Sequence, residues 1–205
     1  PLFVNRLLRQ RIHILITGSN AKLLSSELAS HLTGRHHKIE LFPFSFKDWC
    51  IMKELDYTRL TTKNRGLLSK AYEEYFHQGG FPELISGEEN PKEYIATLID
   101  NIISQDIQKR YKIRNMDALK RLAHHVLNET PAIIVKDALQ DIMGIKSERT
   151  LGNYLMYLNQ TYLVSTINKY SSKSRERTRG EKVYAIDVAF MDKRENAFSG
   201  ENLGW

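Results

Sequence analysis

Three stretches of this sequence carry side chains able to bind phosphate. Near the start, Gly18-Ser19-Asn20 follows the apolar run Ile12 to Thr17, which places small polar groups at the tip of an expected strand. Further along, Lys146 and Arg149 stand where an expected helix opens, with Asn153 one turn later. The third stretch, residues 169–182, holds Lys169, Lys173, Arg175, Arg177, Arg179 and Lys182 against Glu176 and Glu181, a local balance of +4 out of +6 for the whole chain. Positive charge gathered on one hairpin suits contacts to a phosphate backbone. Other chemistries lack their residues. No Gly-Lys dipeptide occurs, so no G-x-x-x-x-G-K-[ST] loop can be drawn, and no apolar run ends in Asp-Glu. His36-His37 and His124-His125 are adjacent pairs whose side chains diverge, and there is neither an H-E-x-x-H nor a cysteine pair, so no metal site is expected. A G-x-S-x-G elbow is absent as well.

The elements that would position these groups are legible from periodicity. Ile12 to Thr17 reads as a buried parallel strand, Ser25 to Leu32 as a helix stopped by Gly34, and Lys38 to Phe42 as a second strand. Residues 1–46 are thus expected to form a βαβ unit closed by Pro43, with a candidate ligand site at the strand tip. Residues 47–128 read as a helical domain. Leu67, Leu68, Ala71, Tyr72, Tyr75 and Phe76 recur at helical spacing until Gly79-Gly80 breaks the helix. A turn at Ser86 to Pro91 leads into a long helix striped by Tyr94, Leu98, Ile99, Ile102, Ile103 and Ile107. Asp117 is expected to cap the helix Ala118 to Leu127.

Residues 129–190 give a short helix from Ile133 to Ile142, a turn at Gly144, and a helix opened by Ser147 that buries Leu151, Tyr154, Leu155 and Leu158. Two strands follow, Tyr162 to Tyr170 and Lys182 to Ile186. Helix, turn, helix and hairpin predict a winged helix-turn-helix, serving either nucleic acid or packing against protein. The fold class expected is therefore mixed and mainly α: a βαβ remnant, then a helical domain with a winged helix-turn-helix.

Composition sets the outer bounds. The chain has 205 residues, 41% hydrophobic and 26% charged, ordinary for a folded domain. A single cysteine, Cys50, excludes an internal disulfide and fits a reducing, cytoplasmic compartment. No apolar run reaches the roughly 18–20 residues of a spanning helix, so no membrane partner is expected. The amphipathic stretch Pro1 to Gln10 lacks the apolar core of a signal peptide.

The runs ITGSNAKLLSSELASHLTGR, ELFPFSFKDW, YFHQGGFPEL and LIDNIISQDIQKRYKI, in that order, resemble a prokaryotic family of AAA-type P-loop ATPases in which the ATPase core precedes an uncharacterised helical domain. The similarity covers nearly the whole chain. It implies that Ser19 and Asn20 stand where the family places its sensor polar residue, and that Arg35 is a candidate phosphate-sensing or finger arginine. It implies ATP and Mg²⁺ as cofactors of a longer parent whose Walker A and B segments would lie before Pro1, and no cofactor for this chain alone. Residues 191–205 resemble the junction leading to an endonuclease-like module in the same family. The partners implied are the missing ATPase segment, nucleic acid or protein at the winged helix, and a second copy through an exposed sheet edge. A bland reading stands beside each residue: Ser19 and Asn20 suit a helix amino terminus, and Arg35 suits a helix carboxyl terminus.

Overall fold

The computed structural model describes residues 2–18, 37, 39–59, 61–87, 89–168 and 181–191. Helix dominates. An amino-terminal helix, α1 (Leu2–Arg9), is followed by α2 (Phe46–Met52), α3 (Thr62–Gln78), the single turn α4 (Pro82–Ile85) and α5 (Pro91–Asn101), which continues as a π-helix over Ile102–Gln108. Then come α6 (Met116–Asn128), β1 (Ala132–Ile133), α7 (Lys136–Met143), α8 (Glu148–Gln160), β2 (Val164–Ile167), β3 (Lys182–Ala185) and a 3-10 turn at Val188–Phe190.

Local chemistry explains most boundaries. Ser45 and Asp48 form a reciprocal capping box at α2: the Ser45 hydroxyl accepts from the Asp48 amide, and the Asp48 carboxylate accepts from the Ser45 amide at 3.0 Å. Thr61 caps α3, and Asn90, with Pro91 behind it, caps α5. Ser147 caps α8 as its sequence suggested, and Gly144 ends α7 at φ +67, in the left-handed region.

The stripe on α5 shows why the π segment matters. Ile95, Ile99, Ile103 and Ile107 are all buried and four residues apart. In a straight α-helix that spacing drifts about 40° per step, which would carry the last isoleucines off the core. The wider winding of Ile102–Gln108 turns the stripe back, and Ile103 and Ile107 are both 0% exposed. The main core unites this stripe with Leu119, Leu122, Val126 and Leu127 of α6, Leu139 of α7, Leu151 and Leu158 of α8, and Val164 and Val183 of the sheet. It runs continuously across residue 128.

The sheet has three antiparallel strands in the order β1-β3-β2, with Ala132 opposite Val183 and Thr166 opposite Val183 on the other side. Thr130, itself buried, ties it to α6: its hydroxyl accepts from the Ala185 amide at 2.8 Å and donates to the Val183 carbonyl.

Several expectations are corrected. Ile12 to Thr17 and 39–42 form no strands, and Leu15 and Leu41 are 86% and 91% exposed. A parallel strand needs ladder partners, and none flanks either run among the described residues. The intervening helix, Ser25 to Leu32, lies outside the described residues. The α6 cap is Asn115, whose side chain accepts from the Ala118 amide at 3.0 Å, so Asp117 falls inside the first turn. Ile133 belongs to β1 rather than to a helix, because Val183 and Lys182 of β3 supply its strand with a ladder.

Candidate functional site: a joint between residues 40–50 and the helical domain

Two adjacent glycines end α3, and each is required by what approaches it. Gly79 has φ +81, and a side chain there would collide with the Asp187 carboxylate and with Ala189. Gly80 has no room for a methyl group because the Phe44 carbonyl sits against it. This close approach is a backbone contact: the Phe44 amide donates to the Gly80 carbonyl at 2.7 Å. The Tyr75 hydroxyl, one turn back on α3, donates to the Phe44 carbonyl at 2.9 Å.

Asp187 closes the arrangement from the far end of the chain. It is 4% exposed; one carboxylate oxygen accepts from the Gly80 amide at 2.9 Å and the other from the Ala189 amide at 2.7 Å. Both amides are otherwise stranded at a turn, so the carboxylate satisfies them while they offset its own burial. Burial, with Asp187 nearby, pushes the Tyr75 phenol far above its usual range, which keeps it a hydrogen-bond donor.

Around this polar centre, Trp49 of α2 is buried with Ala71 of α3 and Ile85 of α4, flanked by Phe44, Phe46 and Tyr75. Phe46 meets Tyr72 edge-on with ring centroids 5.1 Å apart. The Trp49 Nε1 donor and the Gln78 Oε1 acceptor are buried here without partners. Upstream, the segment is fastened again: the Tyr162 hydroxyl donates to the Glu40 carboxylate, and Phe42 meets the Tyr162 ring edge-on at 5.8 Å. Burial, then Glu40, raises the Tyr162 phenol to about 12. Residues 40–50 are thus fastened at one end to Tyr162 and at the other to α3 and α4.

Of the residues singled out in the sequence, Ser19, Asn20 and Arg35 lie outside the described residues, as do Lys173, Arg175, Arg177 and Arg179. Lys146 and Arg149 are exposed before and on the first turn of α8, while Asn153 is half-buried. The structure brings none of the described ones together with the joint. Sequence reading missed the joint itself. Gly79-Gly80 reads in the sequence only as a helix break, and nothing there singles out Asp187. Two neighbouring glycines beside an otherwise apolar turn were the available signal.

The joint bridges two family matches that are separated along the chain by residues 51–68. Residues 1–50 match a family model described as an AAA domain, and residues 69–198 match one described as Domain of unknown function (DUF8612). The chain belongs to the DUF8612 family. Phe44 and Trp49 lie within the AAA match, and Tyr75, Gly80 and Asp187 lie within DUF8612. An uncharacterized protein of Methanocaldococcus jannaschii is 34% identical over 192 residues, which cover 90% of this chain and 43% of the relative. An uncharacterized protein of Haemophilus influenzae is 30% identical over 178 residues, covering 84% of this chain and 43% of the relative. The chain spans less than half the length of these curated relatives. No solved structure matches it.

The AAA relationship raises ATP and Mg²⁺, and the residues singled out for nucleotide, Ser19, Asn20 and Arg35, lie outside the described residues. No group of three or more His, Cys, Asp or Glu among them could hold a metal ion. Nor is any helix among the described residues long and apolar enough to cross a membrane.

Proposed function

We propose that this chain is the coupling portion of an AAA-type ATPase, in which the DUF8612 region passes changes in the ATPase segment to a partner. One observation carries the reading. The end of the AAA-matched segment is built into the DUF8612 fold through main-chain bonding at Phe44 and Gly80 and through the buried Trp49. A displacement of residues 40–50 therefore has a stiff route to α3 and to Asp187, and from Asp187 to β3. Ser19, Asn20 and Arg35 remain the residues proposed to sense nucleotide, supplied with phosphate-binding groups by a longer parent.

The test uses the polypeptide encoded by the complete gene. Hydrogen exchange across residues 81–190 is measured with and without ATP, in the parent protein and in Gly80→Ala. ATP should alter protection in the parent and leave it unaltered in the variant, whose added methyl has no space beside Phe44. Equal nucleotide responses in both proteins would refute coupling through this joint.

A second reading is favoured by a separate observation. The sequence of elements α6, β1, α7, α8, β2, β3, with sheet order β1-β3-β2, supports a winged helix-turn-helix. In that reading the approach to α8 and its first turn present Lys146 and Arg149, and residues 169–182 supply the charged wing. The partner is then nucleic acid or protein, bound without chemistry by this chain.

A further inference from the structure

The loop between the π segment and α6 carries Lys109, Arg110, Lys112 and Arg114 within six residues and no carboxylate. Arg110 pairs with Asp106 at 3.4 Å, whereas Lys109, Lys112 and Arg114 have no ion pair among the described residues. All four are exposed. A charge run of this kind is usually only a solvated surface, and the difference here is how firmly its backbone is held.

Tyr111 and Ile113 alternate with the cations and turn inward onto the main core. The Tyr111 ring stacks on Tyr157 of α8, with centroids 3.8 Å apart and planes 14° from parallel. Its hydroxyl donates to Gln160 Oε1 at 2.7 Å. At the other end of the loop, the Tyr154 hydroxyl donates to the Asn115 carbonyl at 3.2 Å. Alternation then sends Lys112 and Arg114 outward.

The stacking also fixes which side of α8 the loop borders. Leu151, Tyr154, Leu155 and Leu158 face the core. Helical spacing puts Arg149, Asn153 and Gln160 on the opposite side, roughly 100° per residue round the axis, with Tyr157 at its edge and packed against the core. Tyr111 lies on Tyr157 and Gln160, so the basic loop flanks the carboxyl-terminal half of that outward face. Lys146 and Arg149 mark its amino-terminal half.

We propose that the outward face of α8 and the loop 109–114 together form a binding surface for duplex DNA, with Lys109, Lys112 and Arg114 contacting backbone phosphates. This rests on the winged-helix reading and adds a contact region apart from the wing. An α-helix flanked by fixed cations suits the B-form major groove, which admits a helix, while the deep, narrow major groove of duplex RNA does not. Contacts of this kind position the protein and are indifferent to sequence.

The experiment is fluorescence anisotropy with a labelled mixed-sequence DNA duplex over a series of salt concentrations. Four proteins are compared: the chain, the triple variant Lys109→Ala, Lys112→Ala, Arg114→Ala, a control with Lys63→Ala, Arg65→Ala, Lys70→Ala on α3, which removes the same charge, and a charge-keeping variant of the loop. Circular dichroism checks that each variant folds, and the charge-keeping variant (Lys109→Arg, Lys112→Arg, Arg114→Lys) should bind as the parent does. Each lost phosphate contact flattens the log–log salt slope by about 0.9, so the loop variant should lose about 2.7 from the slope and the control nothing. If duplex binding persists with an unchanged slope in the loop variant, or if the control flattens it equally, this surface is wrong and the winged-helix reading stands. If the parent binds no duplex even at low salt, both fail. Tighter binding to single-stranded RNA of equal length would overturn the choice of partner.

Discussion

The carboxylate of Asp187 uses one oxygen for each of two amides, and that division makes its substitutions separable. Asp187→Ala leaves both amides unmet in a buried turn, at about 1–3 kcal/mol for each donor. Asp187→Asn keeps one acceptor and turns an NH₂ toward the other amide, so it should cost less than Ala but remain clearly destabilising. Urea denaturation of the two variants tests this order; equal midpoints for parent and Asp187→Ala would contradict it. Tyr162 reports the other end of the segment 40–50. Its folded pKa of about 12 exceeds the ordinary phenol value of 10.0. A raised value means this contact contributes stability below the unfolded pKa and loses it as pH rises through the folded one. Glu40→Gln should move the Tyr162 titration downward, since the carboxylate disfavours the phenolate. ¹³C NMR of ring-labelled tyrosine would show it. Asp48 behaves oppositely. Its hydrogen bonds from Ser45 hold its carboxyl below 3.8, so the α2 cap is complete above that value and is lost as pH falls below it. Trp49 fluorescence should follow that loss in acid, and Asp48→Asn should shift the response.

At the scale of elements, the π segment is the feature most open to test. Ile103 and Ile107 are fully buried only because the wider winding returns them to the core. Ile103→Ala and Ile107→Ala should each cost about 2–5 kcal/mol by urea denaturation. Gln105→Ala, on the exposed side of the same segment, should cost under about 0.5 kcal/mol. The stripe was only partly legible from spacing: Ile99, Ile103 and Ile107 are buried as expected, whereas Ile95 was not picked out and Tyr94, Leu98 and Ile102 are half-buried; the change of winding was not legible, since the same residues fit an ordinary helix until their burial is compared. The same contrast holds elsewhere. Leu151, Tyr154, Leu155 and Leu158 declare their face by period, and Ser147 declares the cap of α8. β1 does not, because a two-residue strand takes its identity from β3, some fifty residues away. The joint was hidden for a related reason: Phe44 and Gly80 meet through main-chain atoms, which no side-chain pattern reports. The strands expected at 12–17 and 38–42 read correctly as apolar runs, but apolarity does not supply a ladder partner.

For the whole molecule, one core reaches from Leu84 to Phe190 and takes in every helix from α4 to α8 together with the sheet. Helices 91–128 and the region after them should therefore melt in a single transition, with circular dichroism and tyrosine fluorescence coinciding. Two resolved transitions would show that the core divides. The purified chain should release no phosphate from ATP, because phosphoryl transfer relies on cradling amides, a lysine and Mg²⁺ ligands, and its sequence has no P-loop. Turnover that vanished in Arg35→Ala would contradict this.

The bond between Gly80 and Asp187 spans 107 residues, and that span sets an order of events during synthesis. Phe44 leaves the ribosome before Asp187, and the turn it docks against lacks its carboxylate until Asp187 has followed. At about 5–20 residues per second, the wait is on the order of ten seconds. Throughout that interval Phe44, Phe46 and Trp49 have an incomplete berth and are open to chaperones or to a preceding domain. Limited proteolysis of ribosome-stalled chains should find residues 40–50 cleavable in chains ending before Asp187 and protected in longer ones. The seat for the AAA-matched segment is thus finished last, when the nascent chain is nearly through the DUF8612 fold.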